Sequence, residues 1–125
     1  MPVDGKIGTV SIKEEQIIAD SPHKPVIVTK ELKSGQGTLP AGSIIARDMT
    51  TGKLVLYDPA AKDGDGNPTQ EIVGVLTTIV DTDRQTLAPL IVHGVVIAKF
   101  LKVAEGSTVD EVVLSNLEKK TIWAV

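Results

Sequence analysis

The residue types that carry most enzyme chemistry are scarce in this chain, and those present stand apart from one another. The only imidazoles are His23, set between Pro22 and Pro25, and His93, inside an apolar run just before Gly94. A general base needs a positioned partner, and a zinc site needs three or four ligands. Two distant histidines and no cysteine therefore predict no transition-metal site and no thiol chemistry. His93 reads as a packed or interface residue. Asp63-Gly64-Asp65-Gly66-Asn67 resembles the opening of a calcium loop. Such a loop requires glycine at its sixth place and glutamate at its twelfth, where this chain has Pro68 and Gly74. The match fails where the geometry is most demanding, and the segment reads as a polar hairpin tip.

The remaining motifs are equally bare. Gly35-Gln36-Gly37 lacks the later glycine, lysine and serine of a phosphate-binding loop. No serine stands in a Gly-x-Ser-x-Gly elbow. The pairs Glu14-Glu15 and Asp63/Asp65 lie in polar stretches, where nothing would raise a carboxyl pKa for acid catalysis. No catalytic residue, no metal and no cofactor is expected, and the chain is read as non-enzymatic.

Composition narrows the remaining classes. The 125 residues fit one domain with a core of its own. Net charge is -3, whereas a nucleic-acid binder draws most of its affinity from a basic surplus. Tyr57, Phe100 and Trp123 are the only aromatics, too few and too scattered for a stacking platform. Direct nucleic-acid binding is not expected. No apolar run approaches the ~20 residues that span a bilayer, and Met1–Gly8 lacks the basic-then-apolar pattern of a signal peptide. A soluble protein without membrane contact is expected. The lack of cysteine suits a reducing compartment.

The elements that must present any binding surface are mostly strands. Residues 1–25 are polar, with apolar pieces at Val10, Ile12 and Ile17-Ile18, and Pro22 and Pro25 forbid a helix across their end. Thr9-Val10-Ser11-Ile12 alternates as a strand does. This region reads as an extended N-terminal arm with little core of its own. From Val26 the pattern becomes β: Val26–Thr29, Ser43–Arg47, Lys53–Tyr57 and Ile72–Leu76, the last continuing through Thr77–Val80. A turn is expected at Leu39-Pro40-Ala41-Gly42, a hairpin turn at Thr51-Gly52 and a loop over Asp58–Gln70. Leu90–Leu101 is apolar at both alternating sets of positions, Ile91, Val95 and Ile97 against Leu90, Val92 and Val96. A half-exposed strand would alternate. This strand is therefore central in a two-sided core or covered by another subunit. One short helix is expected near the C-terminus, capped by Ser107 or Thr108, with Asp110-Glu111 in its first turn and Lys119-Lys120 in its last. Val109, Val112, Val113 and Leu117 would share a face, and Thr121–Val125 would close as a strand.

The order of these pieces carries a resemblance. Leu39-Pro40-Ala41-Gly42-Ser43-Ile44-Ile45 is followed by Gly52-Lys53-Leu54-Val55-Leu56-Tyr57-Asp58-Pro59-Ala60 and a glycine-rich loop. Ile72-Val73-Gly74-Val75-Leu76 and then Ala88-Pro89-Leu90-Ile91-Val92-His93-Gly94-Val95 complete the series. This succession resembles the head decoration proteins of lambda-like tailed phages, over residues 26–125. The resemblance implies a mainly β, β-clip-like decoration domain (residues 26–125) with one short C-terminal helix, preceded by an extended arm (residues 1–25). It implies a homotrimer at the local three-fold axes of an expanded head, on the outer surface of the virion, after synthesis in the host cytoplasm. The partner would be the major capsid protein, held against the pressure of packaged DNA. The arm would pair with capsid strands through Val10, Ile12, Ile17 and Ile18. Leu90, Val92, Val95 and Ile97 would serve as an oligomer contact or a core strand.

Two other readings stay open. Leu39–Thr50 also resembles the antifreeze-like domains appended to sugar-acid enzymes, which would require a polar pocket near Arg47 and Thr50. A tail-tube or fibre-tip component would share the β content and the self-association.

Overall fold

The computed structural model describes residues 17–19, 21–22 and 24–125. In chain order these form β1 (Val26–Glu31), β2 (Thr38–Leu39), β3 (Ile44–Asp48), β4 (Leu54–Leu56), β5 (Gln70–Leu76), β6 (Val80–Asp81) and β7 (Leu87–Val96). A 3-10 turn (Ala98–Phe100), a helix α1 (Glu111–Lys119) and β8 (Ile122–Ala124) complete the chain. The expected mainly β class with one short C-terminal helix holds.

The main sheet runs in the order β1-β7-β5-β3-β4, and β8 pairs in parallel with the far end of β7. The two ends of this order come together. Leu32, just past β1, bridges Leu54 of β4 in parallel, and the Lys33 N–H donates to the Leu54 carbonyl at 2.8 Å. The sheet thus curls into a small barrel joined by a short seam. Gln36 seals the start of β4: its Nε2 donates to the carbonyls of Lys33 (2.7 Å) and Leu54 (3.3 Å), and its Oε1 accepts from the Leu56 N–H (2.9 Å). A side-chain amide thereby satisfies backbone groups that an edge strand would leave open.

Curling gives the sheet two buried faces. One face gathers Leu32, Leu39, Ile45, Leu54, Leu76, Val80, Ala88 and Leu90. The other gathers Ile44, Ala46, Ile72, Val75, Ile91 and Val96 beneath Ile17, Leu101, Val113, Leu117 and Ile122. Sequence neighbours Ile44/Ile45, Val75/Leu76 and Leu90/Ile91 go to opposite clusters, as the two-residue period of a strand requires. The unbroken apolar runs arise because both faces are covered within the chain. Each such aliphatic side chain contributes roughly 1.5–3 kcal/mol by leaving water.

Three expectations are corrected. The strand expected to run on through Thr77–Val80 ends at Leu76. The Thr77 N–H and hydroxyl both turn to the Pro89 carbonyl, and Val80 crosses to a separate pair with Leu39. Buried Thr82 locks that small sheet, donating its hydroxyl to the Gly37 carbonyl (2.7 Å) and accepting from the Gln36 N–H (2.9 Å). The helix is capped by Asp110, whose Oδ1 accepts from the Val113 N–H at 3.0 Å, and not by Ser107 or Thr108. A carboxylate adds a favourable charge to the hydrogen bond at the positive end of the helix dipole. Val112 is 67% exposed. Val113 and Leu117 stand four apart on the buried face, and Val112, one residue off that row, points away.

Candidate functional site

Val10 and Ile12 lie outside the described residues, as does His23. Ile17 and Ile18 are placed against the body of the molecule. The Ile17 side chain is buried in the lower core, and its carbonyl accepts from the Ile97 N–H at 2.8 Å. Ile18 bridges Val96, and the Ala19 N–H donates to the Val95 carbonyl at 2.9 Å. The chain therefore joins the end of β7 and the residue after it, Val95–Ile97, before it reaches β1. This brings Ile17 and Ile18 together with Val95 and Ile97, a meeting of two sets that the sequence treats as separate.

The four candidate positions, three on β7 and Ile97 just past its end, divide. Leu90 is fully buried inside the barrel, and its apolarity is met by this chain alone. Val92 is half-buried against that same cluster. Val95 and Ile97 are half-buried beyond it, with Val95 opposite Trp123 of β8. Trp123 is partly exposed and meets the His93 ring edge to face, with ring centres 5.6 Å apart at 83°. Val125 is exposed beyond it. On the opposite edge of β7, Val26 and Ile27 are exposed at the start of β1 and Leu87 at the start of β7.

The Asp63 loop does mechanical work in the turn itself. Its Oδ1 accepts from the Asp65 and Asn67 N–H groups, each at 2.9 Å, and Lys62 bridges Pro68 to close the tip. Among the described residues no three histidine, cysteine or acidic side chains gather as a metal cluster. Every buried side-chain polar atom of the described residues has a hydrogen-bond partner.

Near Arg47, a hollow of about 440 Å³ opens on the seam of the barrel. Its walls are Lys30, Glu31, Leu32, Lys33 and Ser34 on one side, Arg47, Gly52, Lys53 and Leu54 on the other, with Thr86 between. Arg47 Nη1 donates to the Gly52 carbonyl at 2.9 Å and braces the β3–β4 hairpin. Thr50 is not part of this wall; its N–H donates to Asp48 Oδ1 at 2.9 Å. The sequence reading singled out Arg47 but not the lysines. The spacing of Lys30 and Lys33 is visible in the sequence, whereas their approach to Lys53 depends on the parallel closure at Leu32 and Leu54. A smaller ion pair joins Lys120, just past α1, to Glu71 of β5. The hydrogen bond and charge of Lys120 hold the Glu71 carboxyl below its ordinary value.

The arrangement thus offers apolar strand edges, a half-exposed tryptophan and a basic hollow, which are features of a surface that binds. Comparison with curated proteins finds no match. Residues 13–116 match the family described as bacteriophage lambda head decoration protein D, and the chain belongs to that family of phage head proteins.

Proposed function

We propose that this protein docks as a homotrimer on the outer surface of an expanded phage head, binds the major capsid protein there and cements the shell against the pressure of packaged DNA. The observation that carries the reading is the family match over residues 13–116. The match begins at Lys13, inside the expected arm, and runs through the barrel into α1. The protein acts by shape and adhesion, catalyses no reaction, and needs no cofactor, nucleic acid or membrane.

In this reading the segment before Ile17 adds to capsid strands by main-chain hydrogen bonds, a mode that tolerates a varied polar sequence. Val10 and Ile12 are the apolar positions of that segment assigned to the contact. Ile17 and Ile18 are fastened to the body at the end of β7. Val95, opposite Trp123, and Ile97, just past the end of β7, are the half-buried positions offered for subunit contact, and Val92 contributes at its margin. Three linked arms multiply individually weak contacts into avidity. Synthesis in the host cytoplasm suits a chain without cysteine.

The test uses DNA-filled heads lacking the protein, heated with and without it. Added protein is expected to raise the temperature at which the heads release DNA, and the Val10→Asp/Ile12→Asp variant to lose that effect. Release at the same temperature with and without saturating protein would contradict the cementing role.

A further inference from the structure

We propose that the outer edge of β1, with the basic hollow at its C-terminal end, is a second docking site that receives an extended, carboxylate-bearing segment of the capsid subunit. This rests on the reading that the protein docks on the head, and it differs from the arm contact in direction: the arm donates a strand, whereas β1 accepts one.

The edge follows from the way the barrel closes. β1 pairs with β7 on one side. On its other side, among the described residues, the chain meets β4 only at the Leu32–Leu54 bridge. β4 starts at Leu54 and runs parallel to β1 there. Residues of β1 before Leu32 therefore run past the tip of the β3–β4 hairpin and, among the described residues, meet no neighbouring strand on that side. Their backbone is aimed outward in alternation. Thr29 stands opposite Pro89, which has no N–H and whose carbonyl accepts from the Thr77 N–H at 3.1 Å on the β5 side. Thr29 and Pro89 are thus a non-hydrogen-bonded pair, and the Thr29 N–H and C=O point away from β7. Such a row is a ready template for an added strand.

The side chains along this edge state what kind of strand fits. At its start Val26 and Ile27 are 47% and 44% exposed, a footing for apolar side chains. At its end the hollow sets Lys30, Lys33, Arg47 and Lys53 against the single carboxylate of Glu31, which also accepts a 3.5 Å hydrogen bond from the Thr86 hydroxyl. Four cations converge here in a chain of net charge -3. Lysines on an edge repel a second copy of the same edge and favour a strand bearing acids. Main-chain bonds would supply affinity, and the apolar-to-acidic order of the incoming segment would set its register.

The test compares full-length variants for binding to expanded, undecorated heads by sedimentation, with folding checked by circular dichroism. Thr29→Pro removes one outward N–H without touching a bond to β7, at a position where an edge strand accepts proline. Lys30→Glu/Lys33→Glu/Lys53→Glu inverts the hollow, and the corresponding lysine-to-arginine variant keeps its charge. Thr29→Pro and the glutamate variant are each expected to bind roughly tenfold more weakly or worse, and the arginine variant like the parent. A folded Thr29→Pro that binds like the parent overturns the proposal, even if the glutamate variant is weakened. That pattern would indicate contact by charge alone, as with nucleic acid, which a duplex DNA titration would reveal. If Thr29→Pro does not fold, parental binding by the glutamate variant overturns the proposal and its loss supports it. Failure of the parent itself to bind heads sinks the decoration reading and this site together. Parental binding with unaffected variants sinks this site alone.

Discussion

At the scale of single residues, the backbone makes demands that only certain side chains meet. Gly42 has a φ of +93°, and a Cβ there would overlap the Phe100 carbonyl and crowd Ile17. Its N–H also donates to the Leu76 carbonyl at 2.8 Å, and its carbonyl accepts from Lys102. One glycine thus pins the turn before β3 to the segment after the 3-10 turn. Gly42→Ala combines left-handed strain with a backbone clash and is expected to cost on the order of 2–4 kcal/mol, read as a lowered urea midpoint. An unchanged midpoint would mean the turn relaxes freely. The Glu71–Lys120 pair makes a prediction with a definite sign. The folded Glu71 carboxyl is held below its ordinary 4.5 by the hydrogen bond and charge of Lys120. Its contribution is therefore fully present above that ordinary value and is lost as pH falls through the lowered one. Both side chains are well exposed, so screening limits the effect to a few tenths of a kcal/mol. Stability of the parent measured against pH should show this small acid-side loss, and Lys120→Gln should lack it.

At the scale of elements, β7 organises the molecule. It pairs with β1, β5 and β8 and receives Ile17–Ala19 along Val95–Ile97. Leu90→Ala would open a cavity inside the barrel and is expected to cost about 3 kcal/mol in urea unfolding, within the range for buried leucines. A loss below about 1 kcal/mol would show that the barrel interior collapses around the change. Much of this framework was legible in the residues. The β-branched runs and glycine turns predicted β1, β3, β4, β5 and β7 because strand periodicity is local. The two-sided apolarity of Leu90–Leu101 predicted a covered strand; the strand ends at Val96, before the 3-10 turn, and the cover at Leu90, Ile91 and Val96 comes from this chain. What was not legible depends on long-range closure. Nothing in the spacing of Leu32 and Leu54 reports that they bridge, so the seam and its lysines were not foreseen. Ile17 sits in a polar stretch and gave no local sign that its side chain enters the core. The helix start was missed because Ser107, Thr108 and Asp110 are all good caps, and only the placement of Val113 and Leu117 against the sheet selects among them.

At the scale of the whole molecule, the fold and the proposed function fit one another. The barrel buries both faces of its sheet without a partner. What remains outside is an apolar start to β1, a half-exposed Trp123 next to His93, and the lysine-lined seam. A small body whose core clusters are closed within one chain and that presents several modest contact surfaces suits a component added to a finished shell. In the proposed trimer, cyclic assembly would join different patches of successive copies, with the β1 edge kept for the proposed capsid contact. The central claim is that this chain works by saturable adhesion to the head lattice, and titration of purified protein onto expanded, undecorated heads tests it most directly. The expected result is co-sedimentation that saturates at a fixed number of chains per capsid subunit, with bound chains in multiples of three. Protein that stays in the supernatant at every concentration, or accumulates on the heads without saturating, would contradict it.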